Sequence, residues 1–259
     1  MHKNSQLSEL EQDLYENMIK SISETKTSKK IGIAFSGGVD STLLAKIVRD
    51  LGYESLLLTI GFKNSHDVNF SKEISKLLKM EHDILLIEEK TFSQITKKIH
   101  DKIKTDNLSW NENCIAFYYI AKLAQKHGIQ SVLTANGIDE LFCGYNAYRD
   151  AISKGEVAIN QMMTEKLENE TQMMKAVNSV TLEFDVSIAQ PFLTGKFIQF
   201  ARKIPINEKI KNSDDLVRKH IVRNVALGIG VPQESALQRK KAMQYGSSIH
   251  KNLMKTRKT

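Results

Sequence analysis

IGIAFSGGVDSTLL, residues 31–44, sets a small glycine- and hydroxyl-rich turn between an apolar strand and an apolar helix. Ile31, Gly32, Ile33, Ala34 and Phe35 have the length and flanks of a buried strand, and Leu43, Leu44, Ile47 and Val48 recur at helical spacing after the turn. The turn therefore opens a helix. Gly37 and Gly38 let the backbone approach a ligand, and the unpaired N–H groups and positive dipole end of the new helix favour an anion. Ser36, Ser41 and Thr42 add hydroxyl donors. Asp40 would repel a bare phosphate, and its natural use is to hold Mg²⁺ against phosphates. The competing reading is an ordinary strand-to-helix turn capped by Ser36 or Asp40.

Outward from this stretch, strand and helix patterns alternate. Residues 7–19 (LSELEQDLYENMI) predict an entry helix, 55–62 (SLLLTIGF) a second buried strand, 69–79 a helix, 83–87 (DILLI) a third strand, 113–126 a helix and 131–135 (SVLTA) a fourth strand. Such alternation implies an α/β fold with a parallel sheet, doubly wound and flanked by helices. The fourth strand runs into a second motif, TANGIDELFCGY, residues 134–145. A glycine turn bearing adjacent carboxylates at the carboxyl edge of a parallel sheet lies where ligands bind in doubly wound folds. Asp139 and Glu140 are therefore candidates for metal or substrate contact, with capping of the next helix as the alternative for Asp139.

The rest of the 259-residue chain, 41% hydrophobic, shows no apolar run of membrane-spanning length, no signal-peptide pattern, no internal repeat and no low-complexity segment. Cys114 and Cys143 lack metal-ligand spacing and suggest neither a disulfide framework nor zinc, so the expectation is a soluble protein of the reducing cytoplasm. The net charge is +7, and the last stretch, residues 249–259, carries Lys251, Lys255, Arg257 and Lys258. A basic tail of this kind is either a solvated terminus, the favoured reading, or a nucleic-acid contact.

The motif SGGVDST resembles the pyrophosphate-binding loop, SGGxDS, of the ATP pyrophosphatase superfamily, and no Walker-type loop occurs in the chain. The second motif narrows the resemblance to the synthetase domain of asparagine synthetases, through Asp139, Glu140, Phe142, Gly144 and Tyr145. Gly61, Ser65, Asp67 and His82 resemble that family's second strand and helix. Pro191, Phe192 and Leu193 resemble its P-F-L-D segment, Leu216, Val217 and Arg218 its K-x-x-L-R helix, and Arg239 to Ala242 its late basic motif. The resemblance implies an adenine nucleotide alpha hydrolase-like fold with a helical C-terminal portion, as one domain over 1–259 with residues 1–30 as helix and connector. It also implies adenylation of a carboxylate by ATP and Mg²⁺, then amide formation with ammonia or another amine. By the same matching, Asp40 and Asp139 hold the metal, and Lys240 or Lys241 stabilises pyrophosphate. Ala34, Ser36, Gly37, Gly38, Val39, Asp40, Ser41, Ile60, Thr134 and Gly137 contact ATP, and Asn136, Glu140, Tyr145 and Arg149 face the substrate.

The departures are specific. His2 stands where glutamine-using relatives carry a nucleophilic cysteine, so the expectation is a synthetase domain without a glutaminase domain, fed from solution or by a separate glutaminase. Asn136 stands at the family's glutamate, and an amide cannot act as a general base. Thr194 replaces the Asp of P-F-L-D, and Ala189 and Gln190 replace the preceding Arg-Val, which removes a candidate carboxylate clamp. Arg149, Glu183 or Asp185 would have to compensate. Two further readings stay open: an ATP pyrophosphatase acting on a tRNA nucleobase carbonyl, and an ATP-binding subunit without turnover.

Overall fold

A computed structural model describes residues 7–27, 29–239 and 241–256. His2, Lys240 and the terminal Arg257 and Lys258, named above, lie outside the described residues. The chain runs α1 (Glu9–Glu24), β1 (Lys30–Ala34), α2 (Val39–Asp50), β2 (Glu54–Gly61), α3 (His66–Leu78), β3 (His82–Leu86), α4 (Glu89–Ile103), α5 (Leu108–Lys126) and β4 (Ser131–Leu133). It continues through α6 (Ile138–Leu141), α7 (Ala147–Ile152), α8 (Glu156–Thr181), β5 (Ser187–Ala189), α9 (Gly195–Lys203), α10 (His220–Gly228), α11 (Gln233–Ala236), α12 (Met243–Gly246) and α13 (Ile249–Thr256).

The five strands form one parallel sheet in the order β3-β2-β1-β4-β5. Side-chain alternation divides the core between the two faces of the sheet. Ile31, Ile33, Phe35, Leu57 and Leu133 pack with Leu14 and Met18 of α1, Leu43 and Ile47 of α2, and Val222 and Val225 of α10. Leu56, Leu58, Ile60 and Val132 pack on the other face with Ile115 and Phe117 of α5 and Met173 and Val177 of α8. Helices therefore cover both faces, as the alternating pattern predicts. No described helix is long and apolar enough to cross a membrane.

Local chemistry sets the element ends. Ser8 and Glu11 form a reciprocal capping box at the start of α1, an arrangement typically worth about 1 kcal/mol. The first helix runs on to Glu24, beyond the expected 7–19, because its apolar face continues to Ile22, which is buried. Asn107 caps α5 by accepting the Trp110 N–H at 3.2 Å, so the helix starts at Leu108, ahead of the expected start at 113. Strand β4 ends at Leu133, two residues earlier than the pattern suggests, and the Thr134 N–H then reaches Ala189 O at 3.0 Å. Strand β5 was not expected, since three residues are too few for alternation to register.

Because β1 pairs with β2 on one side and β4 on the other, successive connections leave in opposite directions between β1 and β4. The carboxyl ends of these two strands open the crevice where ligands bind in such sheets. Both motifs begin there.

Candidate active site

The first motif leaves β1 at Ala34 and enters α2 at Val39. Gly37 has φ +80°, and a Cβ on it would lie 3.0 Å from the Phe70 ring and 3.3 Å from Ser71 Cα, so the turn has no room for a side chain. The loop hydroxyls brace it: Ser36 Oγ accepts the Gly38 N–H at 3.3 Å, and Ser41 Oγ donates to Gly38 O at 3.1 Å. Gly38 is the N-cap and makes no side-chain cap, so the ordinary capping role offered for Ser36 or Asp40 is not used. Asp40 lies in the first helical turn and lines the cleft instead.

The second motif behaves in parallel. Gly137, with φ +104°, caps α6, and Glu140 accepts its N–H at 3.1 Å. Capping thus falls to Glu140, and Asp139 turns into the cleft. Glu140 also accepts from the Tyr145 hydroxyl, so both of its oxygens brace the motif. Tyr145 is pushed well above the usual phenol range by burial, with Glu140, Asp139 and Glu170 adding negative charge around it. Gly144 lies against Asp139: a Cβ there would sit 1.9 Å from Asp139 Oδ1.

Asp40 and Asp139 converge on a residue that the motif reading passed over. Lys219, fully buried, donates from Nζ to Asp40 Oδ2 at 2.6 Å, Asp40 Oδ1 at 2.9 Å and Asp139 Oδ1 at 3.0 Å. Burial alone would lower its ammonium pKa. The Asp139 and Asp40 charges, with the Asp40 hydrogen bond, outweigh that and hold it above the ordinary lysine value. Arg218 and Lys219 adopt consecutive left-handed conformations, φ +52° and +54°, which cost non-glycine residues about 1–2 kcal/mol each. Side-chain anchors hold the bend: Arg218 Nε donates to Gly144 O at 3.3 Å, Asp215 Oδ1 accepts the Arg218 N–H at 2.9 Å, and Arg223 Nε donates to Arg218 O at 2.8 Å.

One cleft collects most of the expected residues. Ala34, Ser36, Gly38, Val39, Asp40, Ser41, Ile60 and Thr134 line it, as do Asn136, Asp139, Glu140, Tyr145 and Lys241. Gly37 and Gly137 shape its loops without lining it. Arg149 is not brought in: its guanidinium Nε donates to Ser213 O at 2.6 Å, and it does not line the cleft. Glu183 pairs instead with Lys98 on the surface. A further wall comes from α8, through Lys166, Asn169, Glu170 and Met173 at helical spacing. Lys166 stands 5.4 Å from the Tyr145 ring centroid. Asn136 Nδ2 donates to Glu170 Oε1 at 2.5 Å, and Asn136 Oδ1 accepts from the Thr134 hydroxyl. His66 and Asp67 also line the cleft, and burial raises the Asp67 carboxyl to about 6.

Among the described residues no three His, Cys, Asp or Glu side chains gather as a metal cage. Mg²⁺ does not require one, since it is held by one or two carboxylates together with substrate phosphates. Asp40 and Asp139 are hard oxygen donors that line the cleft with about a fifth of each side chain exposed, and Lys219 offsets one of their two charges. The donor set fits such an ion.

A five-stranded parallel sheet with this loop at its switch point defines the adenine nucleotide alpha hydrolase-like class of α/β folds. A solved NMN synthetase from Francisella tularensis shares the fold, with a TM-score of 0.50 at 15% identity over 95% of this chain and 78% of that one. The sequence profile described as asparagine synthase matches residues 14–186 and 153–258, and the chain belongs to that ATP-using amidation family. It is 28% identical over 263 residues to the "Putative asparagine synthetase (glutamine-hydrolyzing) 1" of Methanocaldococcus jannaschii, covering 88% of this chain and 48% of that protein. It is 22% identical over 249 residues to the "Asparagine synthetase (glutamine-hydrolyzing)" of Bos taurus, covering 92% of this chain and 43% of the other. The chain thus spans about half the length of these relatives or less.

Proposed function

We propose that the protein joins a carboxylate to an amine at the expense of ATP, releasing AMP and pyrophosphate. The observation that carries this reading is the convergence of Asp40 and Asp139 on one buried ammonium, at the mouth of a glycine loop in a single cleft. The substrate carboxylate attacks the α-phosphorus of ATP, and the acyl-adenylate is then opened by ammonia or another amine. The loop from Ser36 to Ser41 and the first turn of α2 take the phosphates. Ala34, Ile60 and Thr134 border adenine and ribose. Lys241, which lines the same cleft, adds positive charge for the departing pyrophosphate, a role that Lys240 would share.

Asp40 and Asp139 would hold Mg²⁺, which when bound screens phosphate charge and polarises the phosphoryl oxygens. Lys219 keeps the two carboxylates together and reduces their repulsion of the incoming nucleotide. Aspartate or a related acid is the first substrate to test, although Ala189, at the place of the family's arginine, supplies no cation, and Gln190 beside it donates to Ile188 O. The nitrogen comes from solution or from a partner glutaminase, and the cytoplasm suits both the ATP supply and the reduced cysteines.

The test is release of pyrophosphate and AMP from ATP·Mg²⁺ with aspartate and each other standard amino acid, with ammonium present. Asp40→Ala and Asp139→Ala serve as controls. Release that depends on one carboxylate and is lost in both controls is expected. ATP binding without carboxylate-dependent turnover by the wild type refutes the reading.

A further inference from the structure

We propose that Glu170, carried on α8 and held by Asn136, is the base that takes the proton from the attacking nitrogen. This inference rests on the amide-forming reading above. Position 136 carries an amide, which has no basic lone pair suited to accept a proton at neutral pH. The structure brings a carboxylate to that amide from 34 residues downstream: Asn136 Nδ2 donates to Glu170 Oε1 at 2.5 Å. The Asn136 amide is used at both ends: its NH₂ group donates to Glu170 and its oxygen accepts from the Thr134 hydroxyl.

The neighbouring carboxylates have other tasks. Asp40 and Asp139 bind the Lys219 ammonium, and Glu140 binds the Gly137 N–H and the Tyr145 hydroxyl. Glu170 is largely buried yet lines the same cleft as Asn136, Asp139 and Tyr145. Lys166 and Met173, about one turn to either side on α8, line it too, so this face of the helix is a wall of the site.

The step balances as follows. The nitrogen lone pair forms the C–N bond at the acyl carbon, and the bond from that carbon to the AMP oxygen breaks. AMP leaves with the electron pair, and the displaced N–H proton passes to the Glu170 carboxylate and on to solvent. Asn136 serves as the positioning residue that fixes the carboxylate.

Glu170→Gln separates this role from a merely structural one, because glutamine keeps the shape and can still accept from Asn136 Nδ2 through its amide oxygen. Wild type and variant are compared in ATP–pyrophosphate exchange with each standard amino acid, in amide formation with ammonium, and in hydroxamate formation with hydroxylamine. Hydroxylamine is largely neutral near pH 7 and depends less on a base. In Glu170→Gln, exchange is expected within about threefold of wild type, while amide formation falls by roughly 10²–10⁴-fold. Hydroxamate formation falls less, and Glu170→Asp recovers part of the loss. Amide formation unchanged in Glu170→Gln, or exchange and amide formation falling in parallel in a folded variant, overturns the role. Wild type without exchange for any acid sinks the ligase reading itself, and the inference falls with it.

Discussion

Replacing Lys219 with methionine removes the ammonium that bonds both Asp40 and Asp139 and nearly keeps the buried volume. Both carboxylates lie within 3.0 Å of the same nitrogen, so their nearest oxygens are less than about 6 Å apart. At that separation, and at an effective dielectric of about 20, two negative charges repel by about 3 kcal/mol. Removing one partner of a buried ion pair generally costs about 3–5 kcal/mol, which agrees. For a chain of this size the melting temperature should fall by roughly 6–20 °C, read by circular dichroism at pH 7. The argument also requires strong non-additivity. Adding Asp40→Asn and Asp139→Asn to Lys219→Met should recover much of the loss, because no uncompensated charge remains. Millimolar Mg²⁺ should likewise raise the melting temperature of Lys219→Met more than that of wild type. A melting temperature for Lys219→Met within about 2 °C of wild type, or a triple variant no more stable than the single one, would refute the electrostatic account.

Further predictions concern other parts of the site and core. Gly144→Ala places a methyl group where Asp139 now packs, so carboxylate-dependent pyrophosphate release should fall at least tenfold while far-ultraviolet circular dichroism stays native. Asp67, raised to about 6 by burial despite the lowering effects of His66 and Lys241, is protonated in the folded chain and ionised in the unfolded one between about pH 4 and 6. Stability therefore declines as pH rises through that window, and Asp67→Asn should flatten the decline in urea titrations. Lys209 has the opposite slope. Burial lowers it to about 8, so between pH 8 and its ordinary value of 10.5 the unfolded chain binds the extra proton. Stability should then rise with pH, and Lys209→Met should abolish the rise. Both Cys114 and Cys143 are buried, with thiols pushed up to about 12, and iodoacetamide should label neither until the protein unfolds.

The parts of this protein that local spacing encodes were open to a reader of the sequence. Ile31 to Phe35 and Leu56 to Ile60 alternate between two buried faces, and the glycine pair has a job that only glycine performs at Gly37. Lys219 sits in a polar run, NSDDLVRKH, that reads as a solvated loop, and the resemblance to K-x-x-L-R ends at Arg218, one residue before it. Its only signal was adjacency, since neither a left-handed backbone nor a buried ammonium has a sequence pattern. Glu170 escaped for a related reason. It belongs to a long helix whose methionines suggest core, and nothing in residues 156–181 indicates that one of its glutamates meets Asn136. Arg149 failed in the other direction, since an arginine near a motif looks like a clamp until the fold turns it toward Ser213.

The buried lysine also bears on the order of events when the chain folds. Lys219 stands 80 residues beyond Asp139 and 179 beyond Asp40, so its ammonium cannot join the acid pair until most of the sequence is in place. Closing so long a stretch costs only slowly more entropy with length, but it must precede any gain from the ion pair. An incomplete chain can form the β1 loop and its helix, yet it leaves two carboxylates facing each other without their ammonium. On this account the joined Asp40–Lys219–Asp139 centre of the cleft is completed late, and a chain that stops before Lys219 lacks it.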